Sequence, residues 1–461
     1  MAWSSLLPEH LSSFETWIAR LFIFFGLVTI GPWACLIVYD LVLYCFRTVT
    51  YELPIVGGRA RGKRRPRAPS LTERPSGQRR QFNPMLHSAD DASAHASGAS
   101  QSADADAPIL HRNVAKGESS FKHERSKEGL GKEPYYSITP LKNLDWRDTN
   151  PLQLRPFKAK YHLTMALENT TLSELVPMDN TYLDRITLRR QLIKDQGKYV
   201  VAANPSIKPA VDEFYRWMTA VYLPRRFPTI FKHVLRPGTG HSYLHNLATD
   251  EDIPLHPPAD PVAALGTLGS HVDDEFLFLR PSPEPADEGK YRLEGFVNCF
   301  PSGFDTLAKL NLKLADIHTP VPGYAAKIEK SMDRFFAALP IGKIVKRHNW
   351  SVITNTNLFS LGGNHLYEGE EPQPLAEGEL DAEKTVMRCE RQTLHRLPEN
   401  DDCLIFAFKT YQYPLKQIKE EGSGEALAQA VDGLAMGSVP RMAFYKRQVV
   451  WGEAVKAYLR A

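Results

Sequence analysis

The 461-residue sequence predicts an α+β fold: an antiparallel sheet with helices packed on one side, preceded by one transmembrane helix and a disordered linker. Three observations predict it. A charge-free apolar run occupies residues 21–39, a polar basic stretch follows, and the rest reads as a strand, a block of helices and three consecutive strands. Composition narrows the function classes. A net charge of +3 excludes a strongly basic nucleic-acid binder. Five cysteines without a C-x-x-C exclude a disulfide scaffold, a cysteine-rich zinc module and an iron–sulfur ferredoxin.

The apolar run LFIFFGLVTIGPWACLIVY is long enough to span a bilayer, and Trp17, Trp33, Tyr39 and Tyr44 suit its interfaces. A cleavable signal peptide fits worse, because the run is too long and no small-residue cleavage site follows. The predicted organisation is a tail over 1–20, an anchor over 21–46, a linker over 47–133 and a globular region over 134–461. Only Arg20 precedes the run, whereas Arg47, Arg59, Arg61, Lys63, Arg64, Arg65 and Arg67 follow it. The positive-inside rule therefore places the C-terminal bulk in the cytosol, with the endoplasmic reticulum as the default membrane. Glycosylation at Asn169 or Asn349, each in an N-x-S/T sequon, would contradict that topology. Residues 57–132 hold fifteen basic and eight acidic residues, leaving −4 for the rest of the chain. So few large apolar residues cannot offset the entropy of ordering, so this stretch reads as a tether.

In the globular region, Tyr182, Leu183, Ile186 and Ile193 have helical spacing. Val211, Phe214, Met218 and Val221 mark a second helix that Pro224 should end. KYRLEGFVNCFPSG alternates like a strand. FDTLAKLNLKLADI returns to helical spacing, and AAKIEKSMDRFFAAL follows Pro320 and Pro322 as another helix. NWSVITNTNLF, MRCERQTLHRLP and DCLIFAFKTYQYPL read as strands, with a long acidic loop between the first and second. No G-x-G-x-x-G, Walker A, G-x-S-x-G or H-E-x-x-H occurs, and the histidines do not group with metal-ligand spacing.

Three stretches are more specific: GFVNCFPSGFDTLAKLNLKLADIHTPVPGY, RHNWSVITNTNLF and RCERQTLHRLPENDDCLIFAFKTYQYPL. With RPFKAKYHLTMAL, MDNTYLDRITLRRQLI and DEFYRWMTAVYLPRRFP, they make residues 145–420 resemble the heme-dependent oxidative N-demethylase family. The resemblance implies a PAS-like heme domain, its core at about 290–415, with a helical N-terminal extension. It also implies heme b as cofactor, and oxidation of a secondary amine's N-methyl group by O₂ with release of formaldehyde. The chain has no flavin, nicotinamide or iron–sulfur motif, so electrons must come from a separate reductase.

Within that resemblance, His318 in IHTPVP is the candidate iron ligand, because heme-binding PAS domains draw their proximal histidine from the helical block. His395 is the alternative. Arg391 and Arg396 are candidates for the heme propionates, since arginine pairs bidentately with carboxylate. They lie on opposite faces of one strand, so both could serve only if a bulge re-aims one. Glu390 is the candidate catalytic residue, orienting a cationic amine; a salt-bridge network is the competing role for this charged strand. Arg347, Asn349 and Trp350 open the preceding strand, with Trp350 read as core. Asp179, Tyr182 and Arg185 match a family helix motif or are ordinary i,i+3 contacts on a solvated helix. The Cys299–Pro301 turn reads as structural. A heme-based sensor and a membrane-tethered scaffold without heme remain the alternative functions, and nucleic acid is not an expected partner.

Overall fold

Seven strands build the main sheet of the computed structural model, which describes residues 131–236, 240–376 and 378–461 with residues 17, 20, 21, 24–26, 38, 39 and 42. The ten strands among the described residues are β1 (Glu168–Thr170), β2 (Val201–Ala203), β3 (Phe231–Leu235), β4 (Ser242–Asn246), β5 (Glu251–Pro254), β6 (Glu275–Pro281), β7 (Tyr291–Val297), β8 (Ile344–Ile353), β9 (Val386–Arg396) and β10 (Leu404–Pro414). The large sheet runs β1-β8-β9-β10-β6-β7-β2 with every pair antiparallel; β3, β4 and β5 form a separate small sheet. The three predicted C-terminal strands are its longest. The sheet also needs β6, which pairs with β10 and lies before residue 290.

Helices cover both faces rather than the one face expected. On one side Phe276, Phe278, Val297, Ile405 and Ala407 share a core with α1 (Tyr182–Gln196), α2 (Lys208–Trp217) and α3 (Pro261–Gly269). On the other, Leu279, Leu293, Val345, Leu394 and Leu404 share a core with α4 (Glu329–Ala338), α5 (Gly424–Met436) and α6 (Gln448–Arg460). Adjacent strand residues such as Ile344 and Val345 fall in different cores, as the two-residue period of a strand requires. Both faces are apolar, so both must be covered.

Two helix expectations change. The second predicted helix does not stop at Pro224: a π-helical turn over Met218–Tyr222 leads into the helical turn Leu223–Arg226. Widening the turn there accommodates a residue that cannot donate to a carbonyl four positions back. Residues 304–317 are not one helix, but a 3₁₀ turn at Leu307–Lys309 and a short helix at Leu314–Ile317. Between them Asn311 takes a left-handed φ of 68° and donates to Leu293 O, while Leu293 N donates to Leu312 O. Pairing with the edge of β7 replaces the local helical bonds that the leucine spacing suggested.

The chain divides into two units, residues 1–108 and 109–461. Among the described residues no helix is long and apolar enough to cross a membrane. The predicted anchor (21–46) and linker (47–133) fall almost entirely outside those residues.

Candidate active site

A cavity of about 310 Å³ lies against one face of the large sheet. Its floor follows from strand register. Arg347 opposes Gln392 and Asn349 opposes Glu390, while Phe406 and Phe408 of β10 oppose Leu394 and Gln392. All line the cavity together with Leu277 and Leu279 of β6. The walls come from the segment around His318, from α4, and from the C-terminal helical region through Met442, Tyr445 and Lys446.

His318 closes the short helix Leu314–Ile317 as its C-terminal cap. Its Nδ1 lies 2.7 Å from Leu314 O, and the carbonyl can only accept, so Nδ1 donates and Nε2 carries the lone pair. The ring stacks on Tyr324 with centroids 4.6 Å apart, which fixes its plane. Burial pulls its pKa down to about 4, so the imidazole is neutral at physiological pH. A neutral imidazole with one nitrogen held by a carbonyl is the usual form of a metal-ligating histidine. Around it Leu314, Ile317, Ile328, Met332 and Phe336 supply apolar wall. This donor and its setting fit heme, with His318 as the residue that would hold the iron.

Glu390 is buried, and its Oε2 accepts from Gln392 Nε2 at 2.9 Å. Lys446 donates to Asn349 Oδ1 at 3.1 Å and to Trp350 O. Burial lowers its pKa to about 8, with Glu390 pulling the other way. Arg388 donates to Phe300 O at 2.5 Å and to Leu358 O at 2.9 Å, and burial brings its pKa to about 10. Arg347 differs: among the described residues its buried Nε has no hydrogen-bond partner, and burial lowers its pKa against weaker opposing pulls from Tyr161 and Glu390. His365 stacks on Tyr445 at 4.5 Å, and burial lowers its pKa to about 4.

The structure thus brings His318 and Glu390, with Arg347, Asn349 and Trp350, to one cavity but places Arg391, Arg396 and His395 elsewhere. Arg391 donates to Leu175 O at 3.2 Å and Glu174 O at 2.5 Å, away from the cavity lining. Arg396 donates to Leu339 O at 2.7 Å, Phe336 O at 2.6 Å and Asp401 O at 2.5 Å, binding the end of α4 to β9. Both guanidiniums are engaged by backbone carbonyls rather than open to a propionate. His395 is fully buried among Tyr135, Phe214 and Trp217 in the opposite core, with neither ring nitrogen hydrogen-bonded among the described residues. Asp179, Tyr182 and Arg185 are not on a solvated face; all three are buried. Cys299 is buried too, its thiol pushed up to about 12 by burial, in keeping with a structural role. Sequence reasoning missed Lys446, Tyr445 and His365, whose positions carry no motif.

Residues 166–456 match the family described as haem-dependent oxidative N-demethylase, alpha subunit-like. The chain belongs to this family. The match covers all the main-sheet strands that line the cavity and continues through the helices carrying Met442, Tyr445 and Lys446. Membership brings with it heme dependence and oxidative demethylase-like chemistry on a small molecule in general. No curated protein matches the chain.

Proposed function

We propose that this family member is a heme-dependent monooxygenase that removes an N-methyl group from an amine bound in the sheet-lined cavity. The observation that carries the reading is His318: a neutral imidazole, held by Leu314 O at Nδ1, with no hydrogen bond to Nε2 among the described residues, set against the apolar wall of the cavity. Bound heme would supply the oxidation, in which O₂ takes up two electrons and two protons, one oxygen leaving with the methyl carbon as formaldehyde and the other as water. Glu390 holds the amine as its ammonium, and Gln392 fixes the carboxylate that does so. Phe406, Phe408 and Leu394 exclude water from the methyl group. Lys446, near its own pKa at neutral pH, is suited to pass a proton inward. The electrons come from a separate reductase.

The charge-free run over 21–39 is proposed to anchor the chain to a membrane, with the catalytic unit on the cytosolic side. Leu21, Phe24, Val38 and Tyr39 are helical and 48–60% exposed, apolar surface of the kind that lipid covers. Co-anchoring with a reductase would raise their effective concentration. The test is purification of the full-length chain in detergent, a heme assay, and formaldehyde measurement with reductant, O₂ and a panel of N-methylamines. Heme with amine-dependent formaldehyde is expected. Heme without any amine-dependent O₂ consumption would overturn the enzymatic reading.

A further inference from the structure

We propose that the amine taken by this cavity carries a carboxylate of its own, which makes the substrate class N-methylated amino acids and similar zwitterions. The inference rests on the oxidase reading above and deepens it. Among the described residues the cavity is lined by five cationic side chains, Lys309, Lys346, Arg347, Arg388 and Lys446, and by one carboxylate, Glu390. Unbalanced buried charge is costly, so a cavity with this lining favours anionic occupants. With Lys346 paired to Glu174 and one cation balanced by Glu390, a heme bearing two propionates would still leave one of these positive charges without a counter-ion. A simple dialkylammonium would add to that surplus.

The cations are not equivalent. Arg388 is engaged by the carbonyls of Phe300, Leu358 and Asn357. Lys446 donates to Asn349 and Trp350. Lys309 reaches Ile317 O at 3.4 Å, and Lys346 lies 3.6 Å from Glu174. Arg347 enters no ion pair among the described residues, and its Nε is buried without a partner. An arginine fork left open in a cavity matches a carboxylate in both charge and geometry.

Register sets Arg347 beside the one acid. Arg347 opposes Gln392 and Asn349 opposes Glu390, so Arg347 and Glu390 are diagonal neighbours on one face of adjacent strands, about 7–8 Å apart at the backbone. An α-amino acid has its ammonium and carboxylate on one carbon. It can reach both side chains with a hydrogen bond of about 2.8 Å at each end. The N-methyl group of such a ligand then projects from the Glu390 end, over the apolar Phe406 and Leu394.

The test is isothermal titration calorimetry on the full-length chain with N-methylglycine and dimethylamine, alongside heme quantitation. Calorimetry reads the pair whether or not heme is bound, so absence of heme would defeat the oxidase reading without deciding this one. N-methylglycine is expected to bind at least tenfold more tightly than dimethylamine. Arg347→Gln should cut that preference about tenfold, and Arg347→Lys should restore part of it, with heme content kept. Equal affinities in the wild type, or an unchanged preference in Arg347→Gln, would overturn the proposal. So would loss of heme in Arg347→Gln with the thermal midpoint unchanged, which would make Arg347 a propionate partner.

Discussion

Two regions of this molecule bury several charges, and they do so in opposite ways. In the block joining α1 to the large sheet, Arg189 is wholly buried and fully engaged. It lies 2.5 Å from Glu275 and donates to the carbonyls of Gly269 and Asp274 at 2.7 and 2.8 Å. The other oxygen of Glu275 accepts from Cys299 N at 2.7 Å. Nearby, Lys409 sits 2.9 Å from Asp179 and 3.1 Å from Asp273. In the cavity, by contrast, among the described residues Arg347 has no carboxylate partner and Lys446 has only neutral oxygens at bonding distance. A buried charge with its partners built in is architecture. One that faces a hollow without them is, on the proposed function, held for a ligand that arrives later.

The largest effect is expected from truncation on the architectural side. Arg189→Ala leaves Glu275 buried and unpaired and should cost about 3–5 kcal/mol in urea unfolding. Arg347→Ala, which removes a charge without a partner, should cost less than about 1 kcal/mol or raise apo-protein stability. Equal losses at the two sites would erase the distinction. The next largest effect is expected at Arg396, whose bonds bind the end of α4 to β9. Arg396→Ala should cost about 1.5–3 kcal/mol while heme content is retained. Heme loss with unchanged stability would instead return Arg396 to the propionate role.

What the sequence revealed follows the same division. Strands β8 to β10 are legible because long alternating or doubly apolar runs have few alternatives, and α1 because its period is regular. The 304–317 segment misleads: its leucines satisfy a helical period, yet Asn311 and Leu312 bond to Leu293 instead. His318 and Glu390 are singled out by family motifs, and both line the cavity. Arg391 and Arg396 show where such reading stops. Residue type says that an arginine seeks oxygens, but not whether a carboxylate or the carbonyls of Leu175 and Phe336 will supply them. Lys446 is reached only through the C-terminal helical region, which no local pattern ties to the sheet.

A smaller effect separates the two cores by pH. Burial holds His395 at about 3, and His318 and His365 at about 4, all below the ordinary histidine value of 6.5. The unfolded chain therefore binds more protons between those values, so stability should fall as pH drops from about 6.5 toward 4. His395 is fully buried and unpartnered, so His395→Phe should flatten this slope by up to about 1.4 kcal/mol per pH unit. Ligand binding should remain intact, because His395 does not line the cavity. An unchanged slope would mean that His395 does not titrate with unfolding.

His318 Nε2 is proposed to hold heme in the sheet-lined cavity. This is tested by the optical spectrum and heme stoichiometry of the full-length chain, wild type against His318→Gly. A heme-bearing wild type with a histidine-ligated Soret band is expected, with a variant that loses heme or that ligation and recovers the band when imidazole is added. A His318→Gly protein with wild-type stoichiometry and an unshifted Soret band would contradict it.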